Sequence, residues 1–325
     1  MMKKLFTLFL TLILALSLCS CAPSGNAPLA YGLILTEDTP YQQQIRAGYE
    51  AAAGKAGLQI LVRYAATAEA QLQAIQELQG SISALAIRPA DGTSLKDALN
   101  DLSIPVATVD ADTEGSDYFI DPVDYELCAR AMLDQILEIT GGSGEFAILA
   151  SDRFSGSNIW VNVLNAVMQE APYAGLTCVK TVYCAPEAET AAAETQSLLT
   201  RYPALEAICC PESAILLGCC QTLTDANTQI RATGMAVPSA LKNFVGENKV
   251  CPAFFLWDPS RIGQCAFDTL CHTLQGPLST HTILFKTADG TEYTVKEDSI
   301  ATLVIAVGEP ARFNGENIAH WAQIY

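Results

Sequence analysis

Ile104-Pro105-Val106-Ala107-Thr108-Val109, followed at once by Asp110, and Glu145-Phe146-Ala147-Ile148-Leu149-Ala150 are short runs with almost no polar side chains. A strand exposed on one face alternates polar and apolar residues. A near-continuous apolar run is the pattern of a strand covered on both faces, as in a parallel sheet flanked by helices. Outward from these two runs the same pattern recurs at residues 29–35, 58–64, 82–88, 177–183, 204–210, 230–234 and 251–257. Helix-period segments lie between them, near 40–55, 68–79, 93–101, 123–139, 158–170, 187–200, 213–224, 238–246 and 259–274. Strands separated by 10- to 15-residue helical patterns read as βα units building a parallel sheet. Gly57, Gly80, Gly141-Gly142 and Gly175 stand where the helices should stop. The series occurs twice, over 29–110 and over 145–234, which predicts two doubly wound α/β lobes with ligands at the carboxyl ends of the strands.

The amino terminus sets the compartment. Lys3 and Lys4 precede 14 uncharged residues, Leu5 to Leu18, and small residues follow. That is the layout of a secretory signal peptide, and the run is too short to span a bilayer as a helix. Leu18-Cys19-Ser20-Cys21 resembles the bacterial lipobox, with Cys21 as the lipidated residue and Cys19 as the fallback; residues 22–28 (APSGNAP) form a polar tether. The alternative is an ordinary secreted protein without a lipid. The expected location is extracytoplasmic, on the cell membrane through acyl chains, stably so with two or more of them.

Composition fits a soluble body behind such an anchor. The chain has 325 residues, half of them hydrophobic, and a formal charge of −17. Loss of residues 1–21 leaves 16 of the 18 basic residues against 35 acidic ones, moving the charge to −19. Such an acidic balance argues against nucleic acid or an anionic membrane face as a partner. About 300 residues suit two domains better than one.

Twelve cysteines in an exported chain first suggest disulfides. Cys178 and Cys184 lie six apart on one strand pattern, roughly 20 Å, against a bridging limit of ~7 Å. Cys265 and Cys271 lie six apart on one helix pattern, roughly 9 Å. Cys209-Cys210 and Cys219-Cys220 sit in apolar surroundings, where thiols act as small hydrophobes. The ten cysteines after Cys21 are therefore expected to be mainly reduced and structural, with bridges between elements left open. There is no C-x-x-C and there are only three histidines, at 272, 281 and 320, so no metal site is expected. No dinucleotide fingerprint, P-loop or nucleophile-elbow motif occurs. Neither a cofactor nor enzymatic activity is expected; an exported α/β hydrolase is the alternative of another class.

Several segments together resemble the type I solute-binding proteins of the ribose-binding kind, on the branch that includes rhamnose- and autoinducer-2-binding receptors. They are Thr39-Pro40-Tyr41-Gln42, Val109-Asp110-Ala111-Asp112-Thr113, Ser157-Asn158-Ile159-Trp160 and Tyr202-Pro203-Ala204-Leu205-Glu206 with Pro211. Further ones are Thr233-Gly234-Met235-Ala236-Val237-Pro238, Phe255-Leu256-Trp257-Asp258-Pro259 and Gly308-Glu309-Pro310-Ala311-Arg312-Phe313-Asn314. The resemblance spans residues 29–325. It implies a receptor that hands a sugar or sugar-like polar molecule to ABC permease subunits, as a monomer. A sensory lipoprotein presenting to a membrane kinase is the alternative. It also implies three chain crossings between lobes, near 120–123, 255–259 and 279–284. Lobe one would be 29–121 plus 259–281, and lobe two 122–258 plus 282–325.

By position, the resemblance makes Asp110 a carboxylate accepting from ligand hydroxyls, with Asp112 beside it; either is alternatively a cap on the next element. Tyr41 and Gln42 project from the first loop or pack it. Trp257 walls the pocket with its aromatic face or sits in the lobe-two core. Asn158 bonds ligand or caps its helix, and Trp160 is read as core. Pro211 and Ser213 match a position of backbone and small side-chain contacts. Three departures stand out: Gly156-Ser157 replaces an acid or amide pair, Ala236 replaces an aspartate, and no arginine matches the ribose-clamping positions. Arg88 and Arg153 are placed to enter the cleft from strand ends.

Overall fold

The structure, a computed structural model, describes residues 30–151, 158–279, 281–287, 290–297 and 303–325. Cys19, Cys21, Arg153 and Gly156-Ser157 lie outside the described residues.

Lobe one begins with β1 (Ala30–Leu35), β2 (Ile60–Tyr64), β3 (Ile82–Ile87), β4 (Val106–Val109) and β5 (Tyr118–Asp121). Lobe two has β6 (Gly144–Ser151), β7 (Leu176–Cys184), β8 (Leu205–Cys210) and β9 (Arg231–Gly234), followed by β10 (Ala253–Leu256). Later come β11 (Leu284–Lys286), β12 (Glu292–Glu297), β13 (Leu303–Ala306) and β14 (Ala311–Asn314). The first sheet runs β11-β12-β13-β5-β4-β3-β1-β2 and the second β7-β6-β8-β9; β10 and β14 form a separate antiparallel pair. All pairs of the second sheet are parallel, as are those from β13 through β2 in the first. The chain is therefore an α/β protein of two doubly wound lobes.

Burial explains the continuous apolar runs. Leu33 and Leu35 of β1 join one core with Tyr49 and Phe267, while Ile34 points the opposite way into a second core with Leu78 and Leu85. Both faces of β1 are covered, so all six of its residues are buried and its run reads as continuously apolar. Lobe two has its own core around Phe146, Ile148, Ile208 and Leu216.

Helices α1 (Pro40–Ala56), α2 (Ala68–Leu78), α3 (Lys96–Asn100), α4 (Tyr125–Thr140), α5 (Ile159–Val167), α6 (Ala188–Arg201), α7 (Ser213–Asp225), α8 (Pro238–Leu241), α9 (Pro259–Thr273) and α10 (Ile318–Trp321) cover the sheets. Gly57 and Gly141 end α1 and α4 in the left-handed conformation, at φ of 69° and 66°. Helices α1 and α9 cross at two glycines. A Cβ on Gly48 would stand 1.8 Å from the Ser260 carbonyl oxygen, and one on Gly263 1.8 Å from that of Ile45.

The boundary expected near 279–284 is corrected. The chain stays with the first sheet through β11–β13, and β13 pairs in parallel with β5. Strands β11, β12 and β13 thus belong to lobe one, and the third crossing is the stretch between β13 and β14. The pattern explains the difference: Tyr293 and Val295 point inward between exposed Thr294 and Lys296, the alternation of an antiparallel add-on strand rather than a buried parallel one. Arg261 of α9 anchors this crossing, donating to the carbonyls of Glu309 at 2.8 Å and Val307 at 3.2 Å. At the first crossing Lys296 pairs with Asp124, the cap of α4, at 3.3 Å.

All ten cysteines after Cys21 are free thiols, eight of them buried. Burial pushes the thiol of Cys128 up to about 12, and those of Cys209 and Cys265 higher still.

Candidate functional site

The parallel strands of the two sheets place their carboxyl ends, and the loops that follow, where ligands bind in open α/β folds. In lobe one these are Thr36 after β1, Arg88 after β3 and Asp110 after β4. In lobe two they are Ser151 at the end of β6, Pro211–Ser213 after β8 and Met235–Val237 after β9.

Asp110 stands apart by its backbone. Among the described residues only Asp110 and Asn227 combine a side chain with positive φ, and Asp110 has φ of 64°. The Ala111 amide donates back to the Val109 carbonyl at 2.7 Å, closing a three-residue turn on Asp110. Such a turn is strained, and aspartate is among the few residues that tolerate it. The turn brings the carboxylate back toward β3 and α1. Oδ1 accepts from the Tyr41 hydroxyl at 2.6 Å and Oδ2 from Arg88 Nε at 2.8 Å. Arg88 Nη1 reaches Thr36 Oγ1 at 3.2 Å.

Tyr41 is delivered by a local device. Thr39 caps α1 and Pro40 occupies its first turn, so Tyr41 starts the helix at the strand ends. Asp258-Pro259 repeats the device at α9, where Asp258 accepts from the Ser260 amide at 2.8 Å. Trp257 immediately precedes that cap, packs against the cores of both lobes, and donates its indole N–H to the Tyr41 hydroxyl at 2.8 Å. Tyr325 adds a third ring, edge-on to Tyr41 at 5.4 Å, with its hydroxyl donating to the Trp257 carbonyl. Burial, then the Asp110 charge, hold the Tyr41 hydroxyl well above the usual tyrosine range, so it is a neutral donor.

The other sequence candidates separate from this cluster. Gln42 is buried, and its amide serves the first loop: Oε1 accepts from the Thr36 and Glu37 amides at 2.9 and 3.0 Å, and Nε2 donates to Thr36 Oγ1 at 2.7 Å. Asp112 Oδ1 caps its own turn, accepting from the Thr108 hydroxyl and the Thr113 amide, both at 2.8 Å. Asn158 is buried and caps α5 through the Trp160 and Val161 amides; its Nδ2 donates to the Ser151 carbonyl at 3.0 Å. Trp160 lies tilted against Tyr125, with ring centroids 4.7 Å apart, and packs against the lobe-two core. Pro211 is buried, and Ser213 Oγ accepts from the Val237 amide at 3.1 Å.

Glu212 was missed by the sequence reading, although both its neighbours were named. Its carboxylate accepts from the Ser151 amide at 2.7 Å and from Asn158 Nδ2 at 3.5 Å, tying the ends of β6 and β8 together. Arg88 had only its strand-end position to suggest it. One cavity of about 310 Å³, lined by Lys55, Asp268, His272 and Lys286 among others, sits at the carboxyl ends of α1 and α9. That is the opposite edge of the sheet from Asp110, so it is separate from this site.

Lobes, crossings and a polar cluster at the strand ends define a two-lobed ligand-binding protein. The profile of the periplasmic binding protein domain family matches residues 33–278, and the chain belongs to that family. A search of curated proteins returned no match. Among solved structures, a sugar ABC transporter protein from Actinomyces odontolyticus is 26% identical, with a TM-score of 0.69 over 90% of this chain and 96% of the other. An ABC transporter solute-binding protein from Clostridium phytofermentas with bound L-rhamnose is 25% identical, with a TM-score of 0.54 over 92% and 99%. The arabinose-binding protein of Geobacillus stearothermophilus shares the fold at 16% identity, with a TM-score of 0.64 over 91% and 99%.

Proposed function

We propose that this chain is an extracytoplasmic solute-binding receptor that delivers a sugar or sugar-like polar molecule to an ABC importer, working as a monomer anchored by lipid at Cys21. The observation that carries the ligand reading is the Asp110 cluster. A carboxylate is held on a strained turn at a strand end, its oxygens accepting from an arginine and an aromatic hydroxyl. A polyol offers hydroxyls to the acceptor and C–H faces to the rings. The solved relatives named for sugars support the same reading. Closure of two lobes on three crossings would couple binding to a shape a permease can recognise.

A thermal-shift screen of sugars, polyols and nucleosides tests this. A true ligand at about 100 times its dissociation constant adds about 2.7 kcal/mol of stability. No stabilisation by any sugar or polyol would set the ligand reading aside. The anchor is tested by detergent partitioning of Cys21→Ala and Cys19→Ala. Retention of Cys21→Ala in the detergent phase, with loss of Cys19→Ala, would move the lipid to Cys19.

A further inference from the structure

We propose that Arg88 is a ligand-contacting, specificity-determining residue, and that with Asp110 it reads two adjacent hydroxyls of a neutral polyol, donating to one and accepting from the other. The proposal rests on the sugar-binding reading above and names the ligand class at the same site.

The backbone that carries Arg88 is clamped. Its amide donates to the Ile34 carbonyl at 2.8 Å, which keeps it in register with β1. Gln71, fully buried, donates Nε2 to the Arg88 carbonyl at 2.8 Å and accepts from the Ala90 amide at 2.9 Å. The side chain therefore leaves a rigid strand end between Thr36 and Asp110. A guanidinium has five N–H donors in one plane. One from Nε goes to Asp110 Oδ2 and one from Nη1 to Thr36 Oγ1. The remaining three meet no acceptor among the described residues. The Arg88 side chain is 29% exposed, against 10% for Asp110. Its outer edge is thus the open part of an otherwise enclosed pair.

Asp110 has capacity left as well. A carboxylate accepts at about four lone-pair positions, and Tyr41 and Arg88 fill two. Spare donors and spare acceptors therefore stand side by side, about one hydrogen bond apart. A vicinal diol presents the complementary pair, because each hydroxyl both donates and accepts. The pair is neutral overall. A sugar acid would gain Arg88 but meet the Asp110 charge, and an amino sugar would meet the reverse.

The test is calorimetry on the wild-type chain, Arg88→Met and Arg88→Lys with L-rhamnose, D-ribose, D-tagatose and D-galacturonate. Single-deoxy analogues of whichever neutral sugar binds most tightly follow. Arg88→Met is expected to lose roughly 10- to 100-fold in affinity for that sugar, the range for a hydrogen bond to a charged group. For the deoxy analogue lacking the hydroxyl that Arg88 touches, the loss should shrink below about threefold; for the others it should stay full. Arg88→Lys, which keeps the charge on Asp110 without the planar fork, should recover only part of the affinity. An equal loss on every analogue would make Arg88 a positioning residue for Asp110 and overturn the proposal, as would unchanged affinity in Arg88→Met. Tighter binding of D-galacturonate than of the neutral sugars would overturn the ligand class. If folded wild-type protein binds none of the sugars, the sugar reading itself fails, which differs from the outcomes that remove Arg88 alone. Circular dichroism checks folding, and Arg88→Gln stands in for Arg88→Met if the latter unfolds.

Discussion

The Trp257 indole N–H donates to the Tyr41 hydroxyl at 2.8 Å, and the same hydroxyl donates onward to Asp110 at 2.6 Å. A bond between residues 216 positions apart thus ties the second inter-lobe crossing to the first turn of α1 and to the carboxylate at the strand ends. One phenol serves as acceptor and donor together, so removing it leaves two polar groups short of a partner.

Tyr41→Phe should therefore cost about 1–3 kcal/mol of stability, the penalty for stranding part-buried polar groups, although it keeps the ring. Trp257→Phe should overlap with it in a double-mutant cycle by at least about 0.5 kcal/mol, because the two substitutions break the same bond. Urea denaturation of the four proteins measures this. Strict additivity would mean that the Trp257–Tyr41 bond contributes nothing to the hinge.

Alkaline pH should unfold this protein earlier than most. Burial raises the thiols of Cys128, Cys178, Cys209 and Cys265 in the folded chain. It raises the phenol of Tyr31 to about 12, and those of Tyr41 and Tyr49 as well. A folded pKa above the unfolded one means that the folded state keeps a proton the unfolded state releases. The stability contributed is whole below the unfolded values, about 8.5 for cysteine and about 10 for tyrosine, and falls as pH rises past them. Each such group removes about 1.4 kcal/mol per pH unit once its unfolded form ionises. Urea midpoints should be level from pH 7 to 8 and drop steeply between 9 and 10.5. A level profile to pH 10.5 would contradict burial of the thiols.

The α1–α9 contact allows a sharper test of packing. Gly48 and Gly263 face the backbone of the opposite helix with no room for a methyl group. Gly48→Ala and Gly263→Ala should each cost about 1–3 kcal/mol by forcing the helices apart, despite alanine's better helix propensity. Gly54→Ala on the same helix meets nothing within 4 Å and should gain up to about 1 kcal/mol. Thermal melts of the three variants decide it, and a stabilised Gly48→Ala would mean the crossing is looser than described.

The repeated βα pattern was legible because helices on both faces make most strand positions apolar, as in Val106–Val109 and in Phe146–Ala150 within Gly144–Ser151. The misses follow from the same physics. The strand Tyr118–Asp121 is only four residues long and ends in an acid, and Glu292–Glu297 alternates, so neither resembles a doubly covered strand. At the site, Asp110 was legible as a carboxylate at a strand end, but its bond to Arg88 depends on β1 lying beside β3 and β3 beside β4, which no local pattern encodes. Asn158 and Asp112 show the opposite difficulty. The residue types that bind hydroxyls are also those that cap turns, and here both cap.

That division between Asp110 and Asp112 leads to the most direct prediction. Asp110→Ala would add backbone strain at φ of 64° to the loss of a carboxylate. Asp110→Asn is the cleaner change, since asparagine tolerates the conformation and still accepts from Tyr41. It removes the charge that pairs with Arg88 and replaces one acceptor by a donor. A polyol hydroxyl bound in a closed cleft then loses a charge-assisted bond, costing about 1.5–3 kcal/mol, roughly 10- to 150-fold in affinity. Asp112→Ala should instead loosen the turn that holds Thr108 and Thr113. Its expected cost is about 1 kcal/mol of stability, with affinity changed less than threefold. Calorimetry with the sugar that emerges from the thermal-shift screen, alongside urea titration of both variants, separates the two effects. A loss of affinity in Asp112→Ala with none in Asp110→Asn would transfer the acceptor role two residues along the loop. Full affinity in both would remove this strand end from the binding site.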